Sequence, residues 1–283
     1  MRCRPADRYC DPMEEFDLSD PLRRAQAVLL TIAIDRSTAV VPVPGGHAVL
    51  NADFPAAHNL NRLAVSRPST ASELAEAAER VLGGAYLSHR LIDVADAELG
   101  ERLAPGLAAY GYQRSRTVLM AATGPAGKTP PDVPVVELDV AERSAVASAE
   151  WRRDRPAWNK DMVDQLGRRI RTVLDAARAT FLAVRDPDGA VLARTDLYLR
   201  DGVGQIEEVV VEPPARGRGL ATRLVLDAVD RARAAGAELV FLVADEDDWP
   251  QQLYRRLGFT VLGHSVSFTA IASSPGGDHG ESG

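Results

Sequence analysis

Three features of this sequence predict an α/β fold in two successive units, each a mixed, mostly antiparallel sheet flanked by helices. The clearest runs from Gln205 to Gly236, where a β-branched segment, Ile206 to Val211, stops at Pro213-Pro214 and passes through Arg216-Gly217-Arg218-Gly219. From Leu220 the pattern turns helical, with Leu220, Leu224, Val225, Ala228, Val229 and Ala232 at three- and four-residue steps and Gly236 as terminator. The second feature is a repeated order of hairpin, strand, helix, strand, helix and closing strands, in which Gly111-Tyr112 stands where Gly258-Phe259 stands later. The third is the abrupt change at Thr123 to Pro134, TGPAGKTPPDVP, which lacks apolar periodicity and separates the two copies. The sequence thus divides into a flexible N-terminus (1–20), a first unit (21–122), a linker (123–133), a second unit (134–272) and a flexible tail (273–283).

Each element follows from local signals. Asp20-Pro21 caps and opens a helix over Leu22 to Ile34. Thr38 to Pro42, His47 to Asn51 and Leu60 to Val65 are strands, the first two joined at Gly45-Gly46. Ser69 or Thr70 caps a helix over Ala71 to Leu82, with Glu73 early in it. A strand over Tyr86 to Val94, a helix over Ala97 to Tyr110 divided by Pro105, and a strand over Ser115 to Ala121 complete the first unit. The second opens with Val135 to Leu138, then helices over Ala141 to Arg153 and Asn159 to Arg178, the latter two separated by the Trp151–Trp158 stretch. Phe181 to Arg185 and Val191 to Leu199 form a hairpin across Asp186-Pro187-Asp188-Gly189. Beyond the organising strand and helix come Leu239 to Ala244, a helix over Pro250 to Leu257, and strands over Phe259 to Leu262 and Val266 to Ile271.

Composition narrows the function. The 283 residues are 46% hydrophobic and 26% charged, and a net charge of -7 argues against a general grip on nucleic-acid phosphate. Cys3 and Cys10 both fall in the N-terminal segment, which excludes a disulfide framework. No apolar run approaches a membrane span, and the chain is expected to be soluble and cytoplasmic. His47, His58, His89 and His264 show no metal-ligand spacing, so no metal is expected.

Chemistry is concentrated at the glycine turn. Two glycines between a strand and a helix leave free N–H groups at the positive end of the helix dipole, a site for an anion such as phosphate. A dinucleotide site fits poorly, because Thr222 occupies the third glycine position and Pro213 to Arg216 intervenes before the first. The segment resembles instead the pyrophosphate loop of the GNAT superfamily of N-acetyltransferases, whose Arg/Gln-x-x-Gly-x-Gly/Ala signature is present as Arg216-x-x-Gly219-x-Ala221. Leu253-Tyr254-Arg255-Arg256-Leu257-Gly258-Phe259 is similar to the family's second motif. The match covers Val135 to Ile271 well and the first unit only in its order of elements.

That resemblance implies two GNAT-like domains, the first degenerate and the second splayed between its Val209 and Leu239 strands to admit acetyl-CoA as cosubstrate. It implies that Tyr254 protonates the leaving thiolate, and that Glu207 or Glu208, two acids in an apolar strand, removes the amine proton. Strand alternation sends these two side chains to opposite faces. Glu207 is the preferred base and Glu208 a substrate contact or alternative base. The backbone of Val209, Val210 and Val211 would hold the pantetheine arm. The amides of Gly217, Arg218, Gly219, Leu220, Ala221 and Thr222 would hold the pyrophosphate, with positive charge from Arg216, Arg218 and Arg223. The sequence departs from the family at Asp247 and Pro250, where asparagine and alanine are common. The acidic run Asp245 to Asp248 is a solvated loop or a lure for a cationic amine.

The implied reaction is direct acetyl transfer from acetyl-CoA to a primary amine of a small molecule or protein. A non-catalytic acyl-CoA sensor or scaffold is the alternative, and a dinucleotide enzyme a third. Neither the acceptor nor the oligomeric state is encoded in these motifs.

Overall fold

In the computed structural model, residues 19–127, 129–246 and 249–271 are described. The predicted termini lie largely outside them, as do Cys3 and Cys10. The first half comprises α1 (Pro21–Asp35), β1 (Ala39–Val43), β2 (Gly46–Leu50), β3 (Arg62–Val65), α2 (Ala71–Ala78), β4 (His89–Val94), α3 (Ala97–Ala109) and β5 (Gln113–Ala122). The second comprises β6 (Val136–Leu138), α4 (Val140–Asp154), α5 (Lys160–Arg168), β7 (Arg178–Arg185), β8 (Val191–Arg200), β9 (Val203–Val211), α6 (Leu220–Ala234), β10 (Leu239–Asp245), α7 (Pro250–Arg256) and β11 (Phe259–Ile271). None of the described helices is long and apolar enough to cross a membrane.

Local chemistry sets most boundaries. Asp20 accepts from the Leu22 amide at 3.1 Å and caps α1. Four differences from expectation have local causes. Tyr86 does not start β4: it is 97% exposed with a φ of 57°, so the strand begins three residues later, at His89. Pro105 lies within α3 without dividing it, its ring on the exposed side of the helix. The helix expected over Asn159 to Arg178 ends at Arg168 and continues as a 3-10 segment, Arg169–Asp175, before β7 starts at Arg178. β11 is one strand, its register shifting between Val261 and Gly263 rather than breaking.

The eleven strands form one sheet in the order β1-β2-β3-β4-β11-β5-β10-β9-β8-β7-β6. Only β3–β4 and β9–β10 are parallel, each joined through a crossover helix, α2 or α6. At the centre the two halves exchange their last strands. β5 of the first half pairs with β10, while β11 of the second pairs with β4, and β5 and β11 pair with each other. The sheet is therefore continuous across residues 123–133, which are themselves anchored: the Gly124 amide donates to the Gly258 carbonyl at 3.0 Å and that of Gly127 to Arg256 at 3.0 Å.

Alternation along the central strands feeds two layers. Val118 and Met120 of β5 pack with Leu224, Val225 and Leu253 under α6 and α7, whereas Leu119 and Ala121 pack with Val28 and Ile32 of α1 on the opposite face. A first-half strand thus fills the second half's core. Met120→Ala is expected to cost about 2–5 kcal/mol, and denaturant unfolding is expected to remain a single transition. Two resolved transitions, with only the first-half signal moved by the substitution, would contradict this shared core.

Candidate active site

The site begins with an irregularity in β9. Against β8, Val210 pairs with Arg194 but Glu207 pairs with Asp196, so β9 carries one extra residue there. Glu208, at a φ of 55°, is the non-glycine residue that absorbs it, and the result is a β-bulge. The bulge resets alternation. Val203, Gln205 and Glu207 face α1; Ile206 faces α6; beyond the bulge Val209 and Val211 pack on the α6 side. The two glutamates, expected on opposite faces, both line the same cavity on the α1 side.

The bulge also coincides with a gap in the sheet. The parallel ladder between β9 and β10 runs only from Val203↔Leu239 to Ile206↔Leu242, although both strands continue. From Glu207 onward the β10-facing backbone of β9 has no ladder partner, and the strands splay. Tyr254 lies on the α6–α7 side of this gap, 7% exposed, its ring 5.9 Å from that of Phe259. Glu207 lies on the α1 side.

The glutamates differ in environment. Glu208 is held by three guanidiniums: Arg169 Nη2 at 2.9 Å, Arg194 Nη2 at 3.1 Å and Arg143 Nη2 at 3.4 Å. Those guanidiniums are fixed in turn. Arg143 from α4 is bidentate to Asp196 at 2.8 and 2.9 Å, and Arg194 Nε donates to Glu150 at 2.7 Å. Although burial opposes ionisation, the three cations outweigh it and hold Glu208 down to about 2. Glu207 has no such cage. Burial first, and then the neighbouring Glu208 charge, push it up to about 7, against a hydrogen bond donated by Gln205 Nε2. One carboxylate is locked in its ionised form while the other titrates near neutrality.

Arg143, Arg169, Gln205 and Tyr198 were not foreseen from sequence. Arg194, Asp196 and Tyr198 alternate along β8, and all three side chains lie on the α1 side. Arg143 is a charged helix residue like its neighbours, and only its 1% exposure distinguishes it.

At the glycine turn, Gly217 and Gly219 have φ of 77° and 78°, which favour glycine. Gly219 is the N-cap of α6 and no side chain caps that end, so the amides opening this 15-residue helix have no side-chain acceptor, as an anion-binding helix end requires. Arg216 Nε donates back to the Val211 carbonyl at 3.3 Å, and Arg223 Nε to that of Val133 at 3.1 Å. The equivalent helix of the first half, α2, is closed by its own residues. Thr70 caps the Glu73 amide, and Glu73 Oε2 accepts from the Thr70 amide at 2.9 Å, placing a carboxylate where an anion would otherwise sit. The acidic run beyond β10 begins in structure: Glu246 pairs with Arg116 at 3.0 Å and His264 at 3.2 Å. Asp247 and Asp248 lie outside the described residues.

Comparison with known proteins agrees with this arrangement. Residues 143–259, which contain the bulge, the gap, the glycine turn and Tyr254, match the sequence model of the Acetyltransferase (GNAT) family. Over that stretch the chain is GNAT-like. A mycothiol acetyltransferase from Thermomonospora curvata is 30% identical over 151 residues, which are 48% of this chain and 51% of that protein. The chain spans about half the length of that curated relative. A GCN5-related N-acetyltransferase from Kribbella flavida superposes with a TM-score of 0.61 at 20% identity, covering 88% of this chain and 95% of its own. A conserved protein of unknown function from Staphylococcus epidermidis does so with 0.66 at 14% identity, covering 84% and 95%. These two show the fold, and they show it across both halves of the chain.

The glutamates predict opposite pH responses. Because the fold raises the Glu207 carboxyl, its contribution to stability is whole below the ordinary carboxylate range and is lost as pH rises through about 7. Glu207→Gln escapes that loss, so its gain in melting temperature over the native chain should grow between about pH 5 and about pH 8. Glu208 is depressed, so its contribution is present at neutral pH and lost only as pH falls toward about 2. Glu208→Gln, which leaves three cations facing a neutral amide, should cost about 3 kcal/mol at pH 7 in denaturant titrations. A carboxyl carbon of Glu207 titrating by NMR in the ordinary range would contradict the assignment.

Proposed function

We propose that this chain is an acetyl-CoA-dependent N-acetyltransferase that moves the acetyl group directly to a primary amine held in the cavity on the α1 side. The observation that carries the reading is the placement of Glu207, titrating near 7, beside the β9–β10 gap. A general base is most effective when its pKa lies near the working pH. The mycothiol acetyltransferase relative supports acetyl transfer as the reaction class.

Coenzyme A would enter from the α6–α7 side. Its pyrophosphate would lie on the amides of Gly217 to Thr222, including Arg218, Leu220 and Ala221, with Arg216 supplying charge nearby. Its pantetheine arm would add to the backbone edge of Val209, Val210 and Val211 that lacks a β10 ladder partner, leading the thioester into the gap. From the other face the acceptor presents its ammonium to Glu207, which takes one proton. The freed lone pair attacks the thioester carbonyl, and a strand N–H in the gap stabilises the oxyanion. When the carbon–sulfur bond breaks, Tyr254 donates its proton to the departing thiolate. The second proton leaving the amide nitrogen restores the phenol, and Glu207 gives its proton up to solvent. We assign the base role to Glu207 alone. Glu208, kept ionised by Arg143, Arg169 and Arg194, holds the bulge, and its charge raises its neighbour's pKa.

We further propose that residues 21–122 and 134–272 are copies of one unit, of which only the second kept the coenzyme site. The parallel pairs β3–β4 and β9–β10 flanking the central strands support the duplication, and the Glu73 capping box supports the loss. Calorimetry with acetyl-CoA should therefore give one site per chain. Gly219→Val should weaken binding at least tenfold, because a β-branched residue is strained at a φ of 78°. Two sites per chain would overturn the assignment.

Thiol release with a panel of amines tests the chemistry. Tyr254→Phe should bind coenzyme normally and lose roughly ten- to ten-thousand-fold in turnover. The native kcat/KM should rise through about pH 7, and Glu207→Gln should lose that limb while recovering in part at alkaline pH, where free amine is available. Binding of acetyl-CoA without turnover of any amine would favour a sensor role.

A further inference from the structure

The cavity that receives Glu207 has a volume of about 450 Å³ and is lined from both halves, by α1 and β3 of the first as well as by β8, β9 and β10 of the second. Its size suits a small molecule. Its wall holds polar atoms that the protein itself does not use. Gln205, 4% exposed, donates its amide to Glu207, and its Oε1 is buried without a partner. Gln26, 7% exposed, donates to the Ala95 carbonyl at 2.7 Å, and its Oε1 is likewise unpartnered. Arg36, the residue that ends α1, spends Nε on Thr172 at 2.9 Å, while its Nη2 is buried with no hydrogen-bond partner.

The charges sort these atoms into roles. Of the three guanidiniums on this wall, Arg62 is paired with Asp93 at 2.7 Å and Arg169 with Glu208 at 2.9 Å. Among the described residues no carboxylate lies within ion-pair distance of Arg36. Burial depresses its pKa, and the charge of Glu207, the one carboxylate that acts on it, does not offset this. On the proposed reaction that charge is taken up by the acceptor's ammonium. Arg36 then needs an anion of its own. A planar guanidinium fork selects carboxylate or phosphate. The two glutamine oxygens accept only, so they call for N–H or O–H donors on the ligand.

We propose that the acceptor is a small amine that also bears an anionic group, a carboxylate or phosphate, with its ammonium against Glu207 and its anion against Arg36. Resting on the acetyl-transfer reading, this narrows its acceptor to a zwitterion and makes Arg36, in the first half, the residue that selects it.

The test uses the full chain loaded with coenzyme A and two matched pairs, β-alanine against β-alaninamide and O-phosphoethanolamine against ethanolamine. Calorimetry measures binding, and thiol release from acetyl-CoA measures transfer. The anionic member of at least one pair should bind about tenfold tighter, the factor expected for one charge-assisted pair. Which pair shows the preference distinguishes carboxylate from phosphate. In Arg36→Gln the preference should fall to within about threefold. Arg36→Lys, which keeps charge but not the fork, should retain part of it and serves if the glutamine variant does not fold. Equal affinity within both pairs, no binding by either anionic member, or a preference unchanged by both Arg36 variants would overturn the proposal. Arg36-dependent binding of the anionic amine without thiol release would uphold it and sink acetyl transfer. Turnover of the neutral members alone would do the reverse.

Discussion

Much of this molecule's chemistry depends on one extra residue in β9. The bulge at Glu208 turns two consecutive carboxylates into one cavity and coincides with the end of the β9–β10 ladder. A positive φ at a glutamate is unfavourable, and the structure secures it through the side chain rather than the backbone alone. Arg143, Arg169 and Arg194 come from α4, from the segment after α5 and from β8, so three separate elements converge on one carboxylate. The same cage that holds the bulge keeps Glu208 ionised. That fixed negative charge, added to burial, prevents Glu207 from ionising at its ordinary pH. Backbone geometry and proton affinity are thus set by the same contacts.

The sequence carried the order of elements, the glycine turn and the two glutamates because these depend on neighbours a few residues away. Periodicity marks strands and helices, and a strand–glycine–helix junction has few uses. The bulge was not legible, because nothing in Ile206 to Val211 distinguishes a regular strand from one with an added residue; the decision lies in arginines up to 65 residues away. For the same reason strict alternation misplaced Glu208. Pro105 misled through a rule about interior helices, whereas here its ring faces outward. Arg36 and Gln26 ended and lined a helix with no hint of the cavity below it, which exists only after α1 has packed across both halves.

Sharing of strands explains why the halves are unequal partners rather than independent modules. Leu119 and Ala121 give the second half part of its α1-side layer, and Val266 and Phe268 of β11 lie in the first half's core with Leu63, Leu74 and Ile92. Around the cavity, Leu166 packs with Ala57 and Leu60 of the first half, flanked by Trp151 and Met162 of the second. Trp151 in turn stacks on Trp158 at 5.3 Å. A half without a glycine turn of its own still supplies part of the wall of the other's pocket.

The exchange has a consequence in time. β4 lies early in the chain, yet its neighbour β11 is made after every other described strand, with Val94 opposite Val266 and His89 opposite Ile271. During synthesis the first half therefore emerges with an open strand edge that nothing yet translated can cover in the native way. Such an edge is a template for pairing with another chain. Closing it requires a loop spanning most of the protein, so its final pairing is slow to nucleate. A completed chain slow to dock β11 is a candidate for swapping that strand with a sister molecule, yielding a dimer with the same contacts as the monomer.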